Sequence, residues 1–227
     1  MDKKNKLSKT SEKAERSSQP DMSTFCVLPF VHQSTKTDGS IKVCCRAKGR
    51  VASVKDFDFK DSESTDLVDA WNWRKIRDLR MDLYRGVKND MCKVCWDHEA
   101  NGVESMRQGM NSNVARMIES KQRAKIAFDD NGFLDEKKYK PLYFEFKLNN
   151  NCNLKCRMCS PANSNQIAKE ITEINNEEYS KFYPLFDLDS EEWWETDTFD
   201  ENIKSQVDNI DMIYMTGGEP TVIEKNF

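Results

Sequence analysis

Polar and apolar positions alternate most cleanly at Leu142–Leu148. Leu142, Phe144, Phe146 and Leu148 fall on one side of a period-two pattern, and Tyr143, Glu145 and Lys147 on the other. This predicts a strand whose apolar face meets helices and whose polar face lines an interior. A second, buried strand is expected at Ile210–Met215, an apolar run that leads directly into Thr216-Gly217-Gly218-Glu219-Pro220. Between the two, Pro161 and Ser164 open a helix that runs to about Ile174, because both residues are favoured at helix starts. Another helix is expected near Glu191–Val207. Upstream, Leu67, Val68, Trp71, Ile76, Leu79 and Leu83 recur near helical spacing and predict a helix over Asp66–Arg85, with its tryptophans in the core and Gly86 at its end. Met106, Met110, Val114, Met117 and Ile118 form a stripe on a helix from Val103 to about Phe128, which Asp129-Asp130-Asn131-Gly132 breaks.

Residues 1–22 are rich in Lys, Ser and Glu and are expected to be a disordered tail. Residues 23–128 form one expected unit, 129–141 a linker, and 142–227 a second unit. No repeat is visible in the sequence.

The cysteines change this from a fold pattern into a chemical one. Cys152, Cys156 and Cys159 follow the first expected strand with spacings of x3 and x2. Three thiolates are one too few to close a four-iron cube, which normally takes four, so one iron would stay open for a small molecule. The Gly-Gly-Glu turn after the next strand lets backbone approach a ligand closely. Of the eight cysteines, the other five are Cys26, Cys44, Cys45, Cys92 and Cys95. Four thiolates that include one Cys-x2-Cys knuckle suit a cluster, and they suit tetrahedral zinc as well. Cys45 is read as a buried or spare thiol, His98 as a surface histidine, and His32 is assigned no role.

In order and spacing, the Cys152–Cys159 loop and the Gly217–Glu219 turn resemble the radical S-adenosylmethionine (SAM) enzymes. The resemblance implies that Cys152, Cys156 and Cys159 bind a [4Fe-4S] cluster. It also implies that Gly217, Gly218 and Glu219 hold the methionine end of SAM, and that reductive cleavage of SAM gives a 5′-deoxyadenosyl radical. Met158 stands where an aromatic residue is common in the family, and as an apolar, polarizable side chain it can pack beside adenine. The segments Cys26-Val27-Leu28-Pro29-Phe30 and Asp38-Gly39-Ser40-Ile41-Lys42-Val43-Cys44-Cys45, the Trp71 helix and the Cys92–Cys95 knuckle resemble the opening half of SPASM/twitch auxiliary-cluster domains. That resemblance implies one auxiliary iron–sulfur cluster on Cys26, Cys44, Cys92 and Cys95. The family usually carries this domain after the barrel, whereas here it comes first.

The fold expected from the resemblance is α/β: a small N-terminal cluster-binding α+β domain, then the first part of a partial (β/α)6 barrel. Alternating barrels take on the order of 200 residues, far more than follow Pro141, so the barrel is expected to be C-terminally incomplete and this chain inactive alone. The resemblance further implies a peptide, protein or small-molecule substrate and an electron donor such as flavodoxin or ferredoxin. The competing class is a non-catalytic iron–sulfur or zinc protein that transfers electrons or scaffolds.

Composition narrows the setting. A third of the residues are charged (33%) and the net charge is -4. Mean hydropathy is -0.81. No long apolar run suggests a membrane span, and the start Met1-Asp2-Lys3-Lys4 lacks a signal-peptide core. An acidic balance argues against non-specific nucleic-acid binding, and cysteines in ligand spacing argue for a reducing, cytoplasmic compartment.

Overall fold

The computed structural model describes residues 20–53, 67–120, 128–135, 137, 139–174 and 193–224. The expected tail up to residue 19, the start of the helix expected at Asp66 and the stretches 121–127 and 175–192 lie outside the described residues. So do residues 54–65, 136, 138 and 225–227.

The chain is mixed α/β. One five-stranded sheet runs through it, built from β1 (His32–Thr35), β2 (Ser40–Lys42), β3 (Ala52–Ser53), β4 (Tyr143–Lys147) and β5 (Met212–Thr216), in the order β3-β2-β1-β4-β5. β1, β4 and β5 are mutually parallel, and β2 and β3 join antiparallel on the β1 side. The sheet therefore crosses from the N-terminal segment into the segment after residue 141, because β1 pairs directly with β4. Leu134, in the stretch expected as a linker, is fully buried with Phe128 and Leu142.

Both expected strands form, but β5, expected to be buried, is an edge strand with Ile213 and Tyr214 exposed, whereas β4 sorts its faces as its alternation requires. Phe144 and Phe146 stack on each other, and the Phe146 ring meets Phe199 edge-on at 5.8 Å. Phe199 belongs to a helix over Asp197–Gln206, which Thr196 caps by accepting the Phe199 N–H. Each buried phenylalanine contributes about 1.5–3 kcal/mol of transfer free energy.

Two expected helices are corrected. The one over Asp66–Arg85 divides into α2 (Leu67–Trp71) and α3 (Arg74–Tyr84). At the break, Asn72 donates to the Leu134 carbonyl and accepts from both Leu134 N–H and Arg80, so its side chain serves the core instead of a continuous helix. Arg80 is fully buried. It donates to the carbonyls of Pro29, Trp71 and Gly132, and its guanidinium lies 4.9 Å from the Trp71 ring centre. Gly86 ends α3 with φ +83, as expected.

The helix expected from Val103 begins instead at Met106 and is described to Ser120 (α5), after α4 (Lys93–Ala100). Ser105 and Gln108 bond each other's backbone N–H, a capping box that sets the start. Phe128 is not helical but bridges Leu134 across the Asp129–Gly132 turn. α6 (Asn165–Ile174) follows a short turn over Pro161–Asn163.

Candidate functional site

Four of the five N-terminal cysteines converge. Cys26 precedes the short helix α1 (Leu28–Val31), which leads into β1. The hairpin from β1 to β2 turns at Gly39, where φ is +75, and delivers Cys44 back beside Cys26. This explains why the glycine falls between these two cysteines in the sequence. Cys92 ends a short turn over Asp90–Cys92, and Cys95 lies in the first turn of α4. The Lys48 N–H donates to the Met91 carbonyl at 2.8 Å and ties the Cys44 loop to the Cys92 turn.

Cys26, Cys44, Cys92 and Cys95 line one cavity with Met106 and Arg107. Burial, then the neighbouring cysteines, raises the Cys26 thiol well above its usual range. Burial pushes Cys44 up to about 11 and Cys92 up to about 12. The arrangement is held from behind by Arg107, which pairs with Glu99 at 2.8 Å and lies 5.2 Å from the Trp96 ring centre. Cys45 and His98 are not in this lining. His98 lines a neighbouring cleft, which Cys95 also reaches.

The second cysteine group sits at the C-terminal end of β4. The first half of its loop is fastened by the start of α6. Asn165 accepts the Cys152 N–H and donates to Asn151 Oδ1, its own N–H donates to the Asn150 carbonyl, and the Ser164 hydroxyl donates to the Leu154 carbonyl. Beyond these anchors the loop is open. Cys156 is exposed, and Met158, expected beside adenine, is 96% exposed with its side chain free to meet a ligand. Cys156 and Cys159 line a shared cleft with Lys155, Arg157, Ile167 and Ile171; Cys152 lies on the same loop but outside that lining.

The Gly-Gly-Glu turn follows β5, the next parallel strand, and docks on this loop. Gly218 N–H donates to the Asn149 carbonyl at 3.1 Å, and Glu219 N–H to the Asn151 carbonyl at 2.8 Å. A Cβ on Gly217, where φ is +117, would come 2.8 Å from the Asn149 oxygen, and one on Gly218 would overlap the Asn151 carbonyl. Both glycines are therefore needed for the turn to lie against the backbone just before Cys152. The Glu219 carboxylate accepts from the Thr221 hydroxyl and N–H, which lowers its pKa. Its remaining oxygen and the partly exposed turn face outward from these bonds.

The residues that sequence reasoning left without a role lie between the two cysteine groups. His32 and Glu145 are buried on the same face of the sheet, and Cys45 lies close to Glu145, with its Sγ 3.8 Å from Met106 Sδ. Burial first, and Glu145 second, raise the Cys45 thiol. The signal in sequence is faint because His32-Gln33-Ser34-Thr35 is polar on both faces and has no alternation to betray a strand.

No protein-family model matches the chain, and neither the curated proteins nor the solved structures give a match to it. Among the described residues, no helix is long and apolar enough to cross a membrane.

Proposed function

We propose that this chain is a radical SAM protein of the SPASM/twitch type, with its auxiliary-cluster segment first and the beginning of a partial barrel after it. The observation that carries the reading is the direct bonding of the Gly217–Glu219 turn to the backbone of Asn149–Asn151. Two motifs about sixty residues apart in sequence become one surface at the C-terminal ends of adjacent parallel strands, where barrel enzymes keep their chemistry.

In this reading Cys152, Cys156 and Cys159 hold a [4Fe-4S] cluster on the open loop. Gly217, Gly218 and Glu219 receive the amino-acid end of SAM, and Met158 packs against its adenine. When bound, the cluster and SAM supply a carbon-centred radical that removes hydrogen from substrate; the protein orients and shields. The exposure of Cys156 and Met158 supports the fit, since a site for a small molecule must be reachable.

Cys26, Cys44, Cys92 and Cys95 would hold a closed auxiliary cluster. Among the described residues no three His, Cys, Asp or Glu side chains are grouped tightly enough for one metal ion. Tetrahedral zinc, with Zn–S bonds of about 2.3 Å, needs its sulfurs about 4 Å apart. The four thiols line one shared cavity, and the neighbouring cluster motif favours iron–sulfur there over zinc. The setting would be cytoplasmic, the substrate a peptide, protein or small molecule, and the reductant a flavodoxin- or ferredoxin-like donor.

Electron paramagnetic resonance of the anaerobically reconstituted, reduced protein tests the reading. Adding SAM should change the spectrum of the parent and leave that of Cys156→Ala unaltered. A parent spectrum indifferent to SAM would remove the radical SAM assignment.

A further inference from the structure

The polar face of β1, β4 and β5 carries more hydrogen-bonding capacity than the protein itself uses. By register, His32 lies beside Tyr143, and Ser34, Glu145 and Tyr214 form the next row. His32 is 2% exposed, Ser34 0% and Glu145 2%. His32 Nδ1 contacts the Val43 carbonyl at 2.8 Å; a carbonyl only accepts, so Nδ1 carries the proton and Nε2 presents a bare lone pair. Burial lowers His32 to about 4, which keeps the ring neutral at ordinary pH.

Nε2 has no hydrogen-bond partner among the described residues, nor does Ser34 Oγ. Glu145 Oε2, another acceptor, lies 4.0 Å from Nε2. The unpaired Nε2 calls for a donor, and leaving such a group unpaired costs about 1–3 kcal/mol.

One step toward the cysteine loop the charge changes sign. Lys147 ends β4 with its Nζ 3.8 Å from Glu145 Oε1, and Lys36 follows β1, half-buried, with Lys147 and Lys42 acting on it as like charges. Lys36 and Lys147 thus both lie near the Glu145 carboxylate. The face opens toward β5, where Tyr214 is 54% exposed.

We infer that this face is the floor of a ligand site for a group bearing an N–H and a carboxylate on one carbon, as in a free amino acid or the last residue of a peptide. The N–H reaches the His32 Nε2 and Glu145 acceptors, and the carboxylate reaches Lys147 and Lys36. The Glu145 and Lys147 head groups lie side by side at 3.8 Å, so a single carbon that bears both groups can meet the two at once. The site lies on the strands that end at the cysteine loop and the glycine turn, so its ligand is the substrate if the radical SAM proposal holds. Binding itself does not depend on that proposal.

Ligand-observed NMR titration of the full chain tests this with four probes. N-acetyl-L-alanine represents a chain terminus and L-alanine a free amino acid; isobutyrate lacks the N–H, and N-acetyl-L-alanine amide lacks the carboxylate. One or both of the first pair should bind at least about tenfold more tightly than either control, the value of one charge-assisted bond, and which of the two binds identifies the source. Lys147→Met should weaken binding about tenfold or more, Lys147→Arg should retain it, and His32→Gln should erase the preference for N–H-bearing probes. Circular dichroism confirms that each variant is folded, and the probes are titrated without SAM, so a parent whose spectrum is indifferent to SAM should still bind them. Failure of all four probes to bind, equal binding of isobutyrate and N-acetyl-L-alanine, or indifference to Lys147→Met would overturn the inference.

Discussion

The two cysteine groups are built in opposite ways. Cys26, Cys44 and the Cys92–Cys95 knuckle come from three separate pieces of chain, and two of the four cysteines, Cys26 and Cys95, are buried outright in a pocket backed by Arg107 and Trp96. Cys152, Cys156 and Cys159 come from one eight-residue loop, fastened in its first half and exposed around Cys156. A site assembled from distant segments ties the fold together through its metal. A site on a single loop asks nothing of the global fold and leaves room for an outside ligand. The contrast matches a closed cluster in one place and an open one in the other.

The largest expected effect breaks that contrast directly. Cys44→Ala combined with Cys92→Ala should leave residues 25–110 readily cleaved in limited proteolysis of metal-loaded protein, because structural metal sites contribute on the order of 10 kcal/mol to folding. Cys156→Ala should cost within about 0.5 kcal/mol, as for other surface substitutions. Equal protease resistance in the two variants would mean that the buried site is not a structural anchor.

Arg80 sharpens the same comparison from the packing side. Truncation to Ala orphans the carbonyls of Pro29, Trp71 and Gly132 and an Asn72 contact, so urea titration should show a loss of about 3–5 kcal/mol. A loss below about 1 kcal/mol would contradict the role given to this buried hub.

Next in size is acid sensitivity. His32 falls from 6.5 to about 4 in the fold, so the unfolded chain binds the extra proton between those values. Stability is fully present above 6.5 and is lost as pH falls toward 4, by about 3 kcal/mol in all. Denaturation midpoints across this window should flatten in His32→Gln, and an unchanged slope would show that His32 is not the group responsible.

The smallest effect on stability is expected at the open site. Gly218→Ala forces a Cβ into the Asn151 carbonyl, and overpacking of this kind costs about 1–3 kcal/mol. Its functional effect should exceed this, since the turn can no longer lie against the cysteine loop: the response to SAM should disappear while the iron remains.

Much of this architecture is legible in the amino-acid sequence. β4 and β5 are visible there because their apolar residues repeat with the period of a half-buried or buried strand, and the four-cysteine set is visible because a glycine sits where the hairpin must turn. The junction of the two segments is not. β1 is polar throughout, since one face meets Glu145 and Tyr143 while Gln33 on the other donates to the Leu67 carbonyl. Its pairing with β4 joins residues more than a hundred positions apart. The interruption at Asn72 is also hidden, because apolar spacing continues through it and only the tertiary demands of Leu134 and Arg80 explain the break. Asn165, which holds the cysteine loop, reads in sequence as an ordinary helix-start residue.

Iron content tests the central claim most directly. Anaerobic reconstitution should load about eight irons per chain, four for each cluster. Replacing Cys152, Cys156 and Cys159 together by Ala should leave about four, and replacing Cys44 and Cys92 should remove the other set. Retention of all the iron after loss of the loop cysteines, or zinc in place of iron at the buried four-thiol site, would contradict the assignment of two clusters, one open and one closed.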